Sequence, residues 1–310
     1  MAGHVPAHFP RVMAGLGPAT HDLRCRPTQM SRDRGHPANH TEPPMSLPNY
    51  EVRSYNTAKA SENKIHDDAT AKRFGFKGGF VGGVCVYGYM SHQPLQRWGK
   101  AWLERGTGEA KFAKPVYDNE IAEVIATEDT DGLALTVQSQ GILCATGRAA
   151  LPTNLPPAPA LSDYKSVPVR ADRPAANEQT LPTDSWLGMN PLTITEEFLA
   201  QDIHDTRETD PIYAREKILN PGTILRCCNW ALSHNVILPA WIHMGSNVRN
   251  LGLARVGDTL NVRARITKNY EHKGHKWVEL DCLVVANETT PVIQATHIAI
   301  YRPRQLAEAA

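Results

Sequence analysis

Residues 83–104 carry apolar side chains at helical spacing, and polar/apolar alternation takes over downstream. Val84, Val86, Tyr87, Tyr89 and Met90 make the apolar face of the expected helix. Pro94 should end or kink it, because proline lacks the amide hydrogen a helix interior needs. Residues 120–129, 133–140 and 141–151 then alternate like strands, with turn signals at Asp118-Asn119 and Asp131-Gly132. Ahead of the helix, 50–56 reads as a short strand. Residues 68–74 read as a helical turn with Asp68 as N-cap.

The second half repeats this order. A polar helix-forming stretch at 195–207 leads through Asn220-Pro221-Gly222 into an apolar helix at 223–235. Strands are expected at 241–251, 259–270, 276–286 and 292–302, with turns at Gly257-Asp258, His272-Lys273-Gly274 and Asn287-Glu288. A glycine-bearing helix start followed by three or four strands thus occurs twice, roughly 140 residues apart. Each half reads as one helix wrapped by an antiparallel sheet, an α+β arrangement. Two such sheets joined edge to edge would remove exposed strand edges.

These patterns divide the chain into an N-terminal repeat at 46–151, a linker at 152–190, a C-terminal repeat at 191–303 and a tail at 304–310. The linker holds prolines at 152, 156, 157, 159, 168, 174 and 182, which favours an extended surface path. Residues 1–45 are rich in Pro, His, Arg and Gly without apolar periodicity, and read as a disordered extension. Two alternatives stand beside that reading: translation starting at Met45, or an Arg-bearing transit peptide, which the prolines oppose.

Composition narrows the function classes. With 33 basic and 32 acidic residues the charge is balanced, so no nucleic acid or other polyanion is implied. The six cysteines (Cys25, Cys85, Cys144, Cys227, Cys228 and Cys282) lack CxxC spacing and read as reduced thiols of a cytoplasmic protein. No apolar run is long enough to span a membrane, and the N-terminus lacks a secretory h-region. Nucleotide-binding glycine motifs and a GxSxG elbow are absent, so no cofactor is implied. His272-x-x-His275 falls on a turn with no third ligand in view and reads as a polar loop, not a metal site.

The candidate chemistry lies at Asn63-Lys64-Ile65-His66-Asp67-Asp68, just ahead of Gly75-Phe76-Lys77-Gly78-Gly79-Phe80-Val81-Gly82-Gly83. An imidazole stands beside a glycine-rich helix start whose free amides and dipole favour developing negative charge. Asn63, Ile65, His66, Asp68, Ala71, Gly75 and Phe76, together with Gly257-Asp258-Thr259-Leu260, resemble the MaoC-like (R)-specific enoyl-thioester hydratase and dehydratase family. The resemblance covers about residues 48–151 and 191–303. Two positions depart from the family pattern: Lys64 stands where proline is usual, and Ser61 where the family carries aspartate.

The resemblance implies a double hot-dog fold and a hydratase or dehydratase acting on a 2-enoyl or 3-hydroxyacyl thioester of coenzyme A or acyl carrier protein. A homodimer is compatible with it. It makes His66 the general acid–base and places the thioester oxygen on the amides of Gly82, Gly83 and Val84. Asn63 is either a turn-former or a group in contact with substrate or water. Glu62 is a substitute carboxylate for the missing aspartate, although a one-residue shift on extended chain points the other way. Asp67 could orient His66. Asp202-Ile203-His204-Asp205 is a degenerate second copy of the motif, and Tyr213 packs. Two rivals remain open. One is thioester hydrolysis, which the lack of a carboxylate over 83–93 opposes. The other is an acyl-thioester binder without catalysis, which Ser61 favours.

Overall fold

The computed structural model describes residues 47–306. The expected extension at 1–45 lies outside the described residues, as do residues 307–310 of the tail. The first half runs β1 (Tyr50–Arg53), α1 (Asp68–Arg73), α2 (Gly83–Met90), α3 (His92–Trp98), α4 (Lys100–Arg105), β2 (Thr107–Phe112), β3 (Ile121–Asp129), β4 (Gly132–Ser139) and β5 (Ile142–Ala150). The second runs β6 (Trp186–Leu187), β7 (Leu192–Thr193), α5 (Glu196–Thr206), α6 (Ile212–Glu216), α7 (Pro221–Ser233), β8 (Ile242–Asn250), β9 (Thr259–His272), β10 (His275–Ala286) and β11 (Thr290–Arg302).

All strands join one antiparallel sheet in the order β1-β3-β4-β5-β2-β8-β11-β10-β9-β6, with β7 also on β9. The halves meet where β2 pairs β8, from Thr107 opposite Arg249 to Lys111 opposite Gly245. β2 had no counterpart in the sequence reading. Its inward positions, Gly108 and Ala110, are small and give little apolar signal, yet both are buried.

The apolar face expected of the first helix is buried as a whole, and one continuous core runs through both halves. α2 packs directly on α7 at Gly88 and Gly222. A Cβ at Gly222 would lie 2.4 Å from the Val84 carbonyl oxygen and 2.8 Å from the Gly88 Cα. Only glycine permits that approach.

The helical stretch from 83 breaks at Ser91 and Gly99, not at Pro94. Pro94 occupies the first turn of α3, where its amide would have had no partner, and Gly99 turns the chain at φ 58°. The N-cap of α1 is Asp67, whose carboxylate accepts from Thr70 N at 2.8 Å, and not Asp68. Residues 152–190 are strapped onto the second half. Tyr164 Oη donates to Asp281 Oδ1 at 2.8 Å, Arg170 N to Asn235 Oδ1 at 3.0 Å, and β6 extends the sheet at β9. The five described cysteines are buried and unpaired. No helix among the described residues is long and apolar enough to cross a membrane.

Candidate active site

His66 closes a single 3-10 turn, Lys64–His66, that Asn63 caps. The Asn63 amide does more than cap. Its Oδ1 accepts from Ile65 N at 3.4 Å and Trp241 N at 3.2 Å, and its Nδ2 donates to Trp241 O at 3.0 Å. Asn63 therefore clamps the first half to the second, and both ends of its amide are committed. A second fastening comes from Asn56, whose Nδ2 donates to His66 O at 3.0 Å. Gly79 lies directly over the same turn. Its N–H donates to Asp68 Oδ1 at 2.7 Å, and a Cβ there would stand 2.2 Å from His66 O.

The ring of His66 is fixed by Phe80, whose carbonyl oxygen lies 2.7 Å from Nδ1. A carbonyl only accepts, so Nδ1 carries the proton and Nε2 presents a lone pair. Burial holds the imidazole pKa below its ordinary value, against the smaller opposing effect of the Phe80 bond. At neutral pH His66 is thus an uncharged base with a free Nε2.

His66 lines a cavity of about 460 Å³ between its own turn, the start of α2 and one face of α7. Gly82 and Val84 share that wall, and a Cβ at Gly82 would lie 3.8 Å from His66 Cε1. The N–H groups of Gly82, Gly83 and Val84 meet no protein acceptor among the described residues. Gly83 differs from its neighbours in its surroundings. A Cβ there would strike His243 Nδ1 at 2.8 Å and Phe112 Cε2 at 2.9 Å, so its open side turns to another cavity.

Among the described residues Glu62 is the sole carboxylate on the wall of the His66 cavity. It is turned to Arg173 of the linker, which grips both of its oxygens, and it remains largely exposed. That guanidinium lowers the Glu62 pKa. The pairing makes Glu62 a poor base and leaves it out of partnership with His66. Ser61 also lines the cavity, its hydroxyl directed to Asn63 O at 3.4 Å. Asp67 is spent as the cap of α1 and does not orient His66.

The structure adds residues that the sequence reading missed. From α7, Arg226 and Asn229 face the same cavity. Two polar residues three apart on an otherwise apolar helix are a signal that could have found them. Asn229 Oδ1 accepts from His297 Nε2 at 2.8 Å. His297 Nδ1 lies 2.9 Å from Ser246 Oγ, and Ser246 Oγ lies 2.9 Å from His243 Nε2. The chain ends at His243 Nδ1, which is buried and has no hydrogen-bond partner among the described residues. It sits at a second, smaller cavity of about 240 Å³, lined largely by apolar groups that include Phe74, Phe80 and Phe112.

Elsewhere the candidate groups serve structure. Asp202 is buried at the start of α7, where it accepts from Asn220 N at 3.2 Å and from the Thr223 hydroxyl. His204 is exposed and Asp205 accepts from Gln201, so the Asp202–Asp205 segment forms no counterpart of the His66 turn. Tyr213 is buried in the core. His272 and His275 face each other across the β9–β10 hairpin, and His275 Nδ1 accepts from Arg304 N at 3.1 Å. No group of three residues able to hold a metal occurs among the described residues.

No protein-family profile matches this sequence, and no curated protein sequence matches it. Solved structures do. A Chloroflexus aurantiacus protein described as a MaoC domain dehydratase superposes with TM-score 0.52 at 11% identity, over 82% of this chain and 93% of that one. A conserved hypothetical protein from Mycobacterium tuberculosis, described as having a double hot-dog fold, gives TM-score 0.53 at 12% identity, over 82% and 96%. The fold is a double hot-dog. Identities this low carry the architecture and not the chemistry.

Proposed function

We propose that this double hot-dog protein is a hydratase or dehydratase of 2-enoyl or 3-hydroxyacyl thioesters carried by coenzyme A or acyl carrier protein. The observation behind the reading is His66, neutral and with Nε2 free, set against the unpartnered amides at the start of α2. In the hydration direction His66 Nε2 takes a proton from water, and the water oxygen bonds to the β-carbon. The π electrons of the double bond shift to the thioester oxygen, where the Gly82 and Val84 amides and the helix dipole stabilise the charge. The proton on His66 then passes to the α-carbon, which balances the addition. Ser61 takes the role of a hydrogen-bonding wall for the water, since a hydroxyl cannot act as a base at neutral pH.

The test is loss of the enoyl absorbance when the purified protein meets a panel of 2-enoyl-CoA esters. His66→Ala should lower kcat/KM by about 10²–10⁴-fold, the usual worth of one general acid–base. A second reading, an acyl-thioester binder without catalysis, is favoured by one feature. Among the described residues the wall of the cavity offers no carboxylate other than Glu62, which Arg173 occupies. Wild-type protein that binds these esters but hydrates none would establish the binder. Release of free CoA from saturated esters would instead mark hydrolysis.

A further inference from the structure

Arg226 is half-buried on the wall of the His66 cavity. It makes one hydrogen bond among the described residues, a long one of 3.6 Å from Nη2 to Cys85 Sγ. No carboxylate lies within 4.0 Å of it among those residues, whereas Arg173, the other arginine on this wall, is held by Glu62 and Ser233 O. Burial opposes the charge of Arg226, and Cys85, with Asp202 and Asp205 from farther away, favours it. Asp202 is already engaged by Thr223 and Asn220 N, and Asp205 by Gln201. Removing an arginine head from bulk water without a paired anion is costly, and a site that keeps one in that state has an anionic ligand to gain.

The rest of the wall agrees. Thr57, Ser61, Asn190, Asn229 and Ser233 share it with Val84, Trp230, Leu238 and Trp241, which makes it far richer in polar groups than the phenylalanine-rich second cavity. A long alkyl chain laid along those groups would strip them of water and return nothing. Arg226 shares this wall with His66, and its guanidinium is withdrawn from bulk water.

We propose that the acyl group carries a carboxylate at the end remote from the thioester, and that Arg226 binds it. The substrate class is then a short dicarboxylic 2-enoyl thioester, or the corresponding hydroxy-dicarboxylic thioester in the reverse direction. Guanidinium and carboxylate match in a two-point, charge-assisted pair that also sets which face of the double bond meets His66. The substrate assignment rests on the thioester reading above; the anion-binding role of Arg226 does not need turnover.

The test therefore begins with unreactive probes. Titration calorimetry of the full-length protein with succinyl-CoA, butyryl-CoA and free CoA separates the acyl carboxylate from the carrier. Wild-type protein should bind succinyl-CoA about 10-fold or more tightly than butyryl-CoA, the gain expected of one buried charge-assisted pair. Arg226→Gln should bring the two affinities within about twofold of each other while leaving butyryl-CoA binding in place. Arg226→Lys, which keeps charge but not the fork, should retain part of the preference. Equal affinities in the wild type, a comparison that needs no variant to fold, would overturn the proposal, as would a succinyl preference that survives in Arg226→Gln. Fumaryl-CoA and crotonyl-CoA then report on turnover. A carboxylate preference in binding with hydration of neither ester would uphold Arg226 and reject the hydratase. Hydration of crotonyl-CoA in preference to fumaryl-CoA would do the reverse.

Discussion

At the scale of single residues, the Phe80 carbonyl decides what His66 can do. By accepting a hydrogen bond from Nδ1–H it leaves Nε2 as the atom that titrates, and burial keeps that atom unprotonated to lower pH than in a free histidine. The rate of hydration should therefore climb through one ionisation below about pH 6.5, the ordinary histidine value, and stay level above it. A pH profile of kcat/KM checks this; a midpoint above 6.5 would contradict the neutral-base assignment. Asn63 holds the turn that carries His66. Asn63→Ala would leave Trp241 N and O without their partners and should cost about 1–3 kcal/mol, read from denaturant midpoints. The order of residues around His66 was legible because the turn and the glycines are local in sequence. The tasks of its neighbours were not. Asn63 is explained by Trp241, 178 positions away, and Glu62 by Arg173, 111 positions away, through contacts that no spacing encodes.

At the scale of elements, the repeated helix-and-strand order was readable because alternation along β3, β4 and β9 follows one buried face. The joining strand β2 escaped, since glycine and alanine fill its inward positions and it follows α4 with only Gly106 between. Its role emerges from pairing with β5 on one side and β8 on the other, a relation of three segments far apart in the chain. The helix contact is equally non-local. Gly222→Ala would drive a methyl group to 2.4 Å from Val84 O, forcing α7 away from α2 and shifting the wall that carries Gly82 and Val84. Overpacking of this kind should cost about 1–3 kcal/mol. The loss should appear both as a lower unfolding midpoint and as weaker binding of acyl thioesters. A variant of unchanged stability would show that the two helices can separate without strain.

Across the whole molecule, the two cavities are joined by a line of neutral histidines, and that line should set how the fold responds to acid. Burial lowers the pKa of His243 to about 3 and holds His297 well below its ordinary value, with the adjacent His243 adding to the effect on His297. Both pKa values are higher in the unfolded chain, near 6.5. Below that pH the unfolded state takes up protons that the native state refuses, so stability is lost as pH falls, starting at about 6.5. Each such histidine contributes a slope of about 1.4 kcal/mol per pH unit. His66, His234 and His275 are shifted in the same direction and steepen the fall near its upper end. Carboxylates such as Glu62 and Glu178, lowered by Arg173 and Lys276, lose their stabilising effect only below about 4.5. Asp202, raised by burial, works against the histidines at the acid end. The window from about 6.5 to 4.5 is thus governed by the imidazoles. Urea unfolding across it should show His243→Gln losing stability less steeply than the wild type, by about one proton per molecule. Identical slopes would mean that His243 is protonated in the native state, which its place against Ser246 and the aromatic wall of the second cavity does not accommodate.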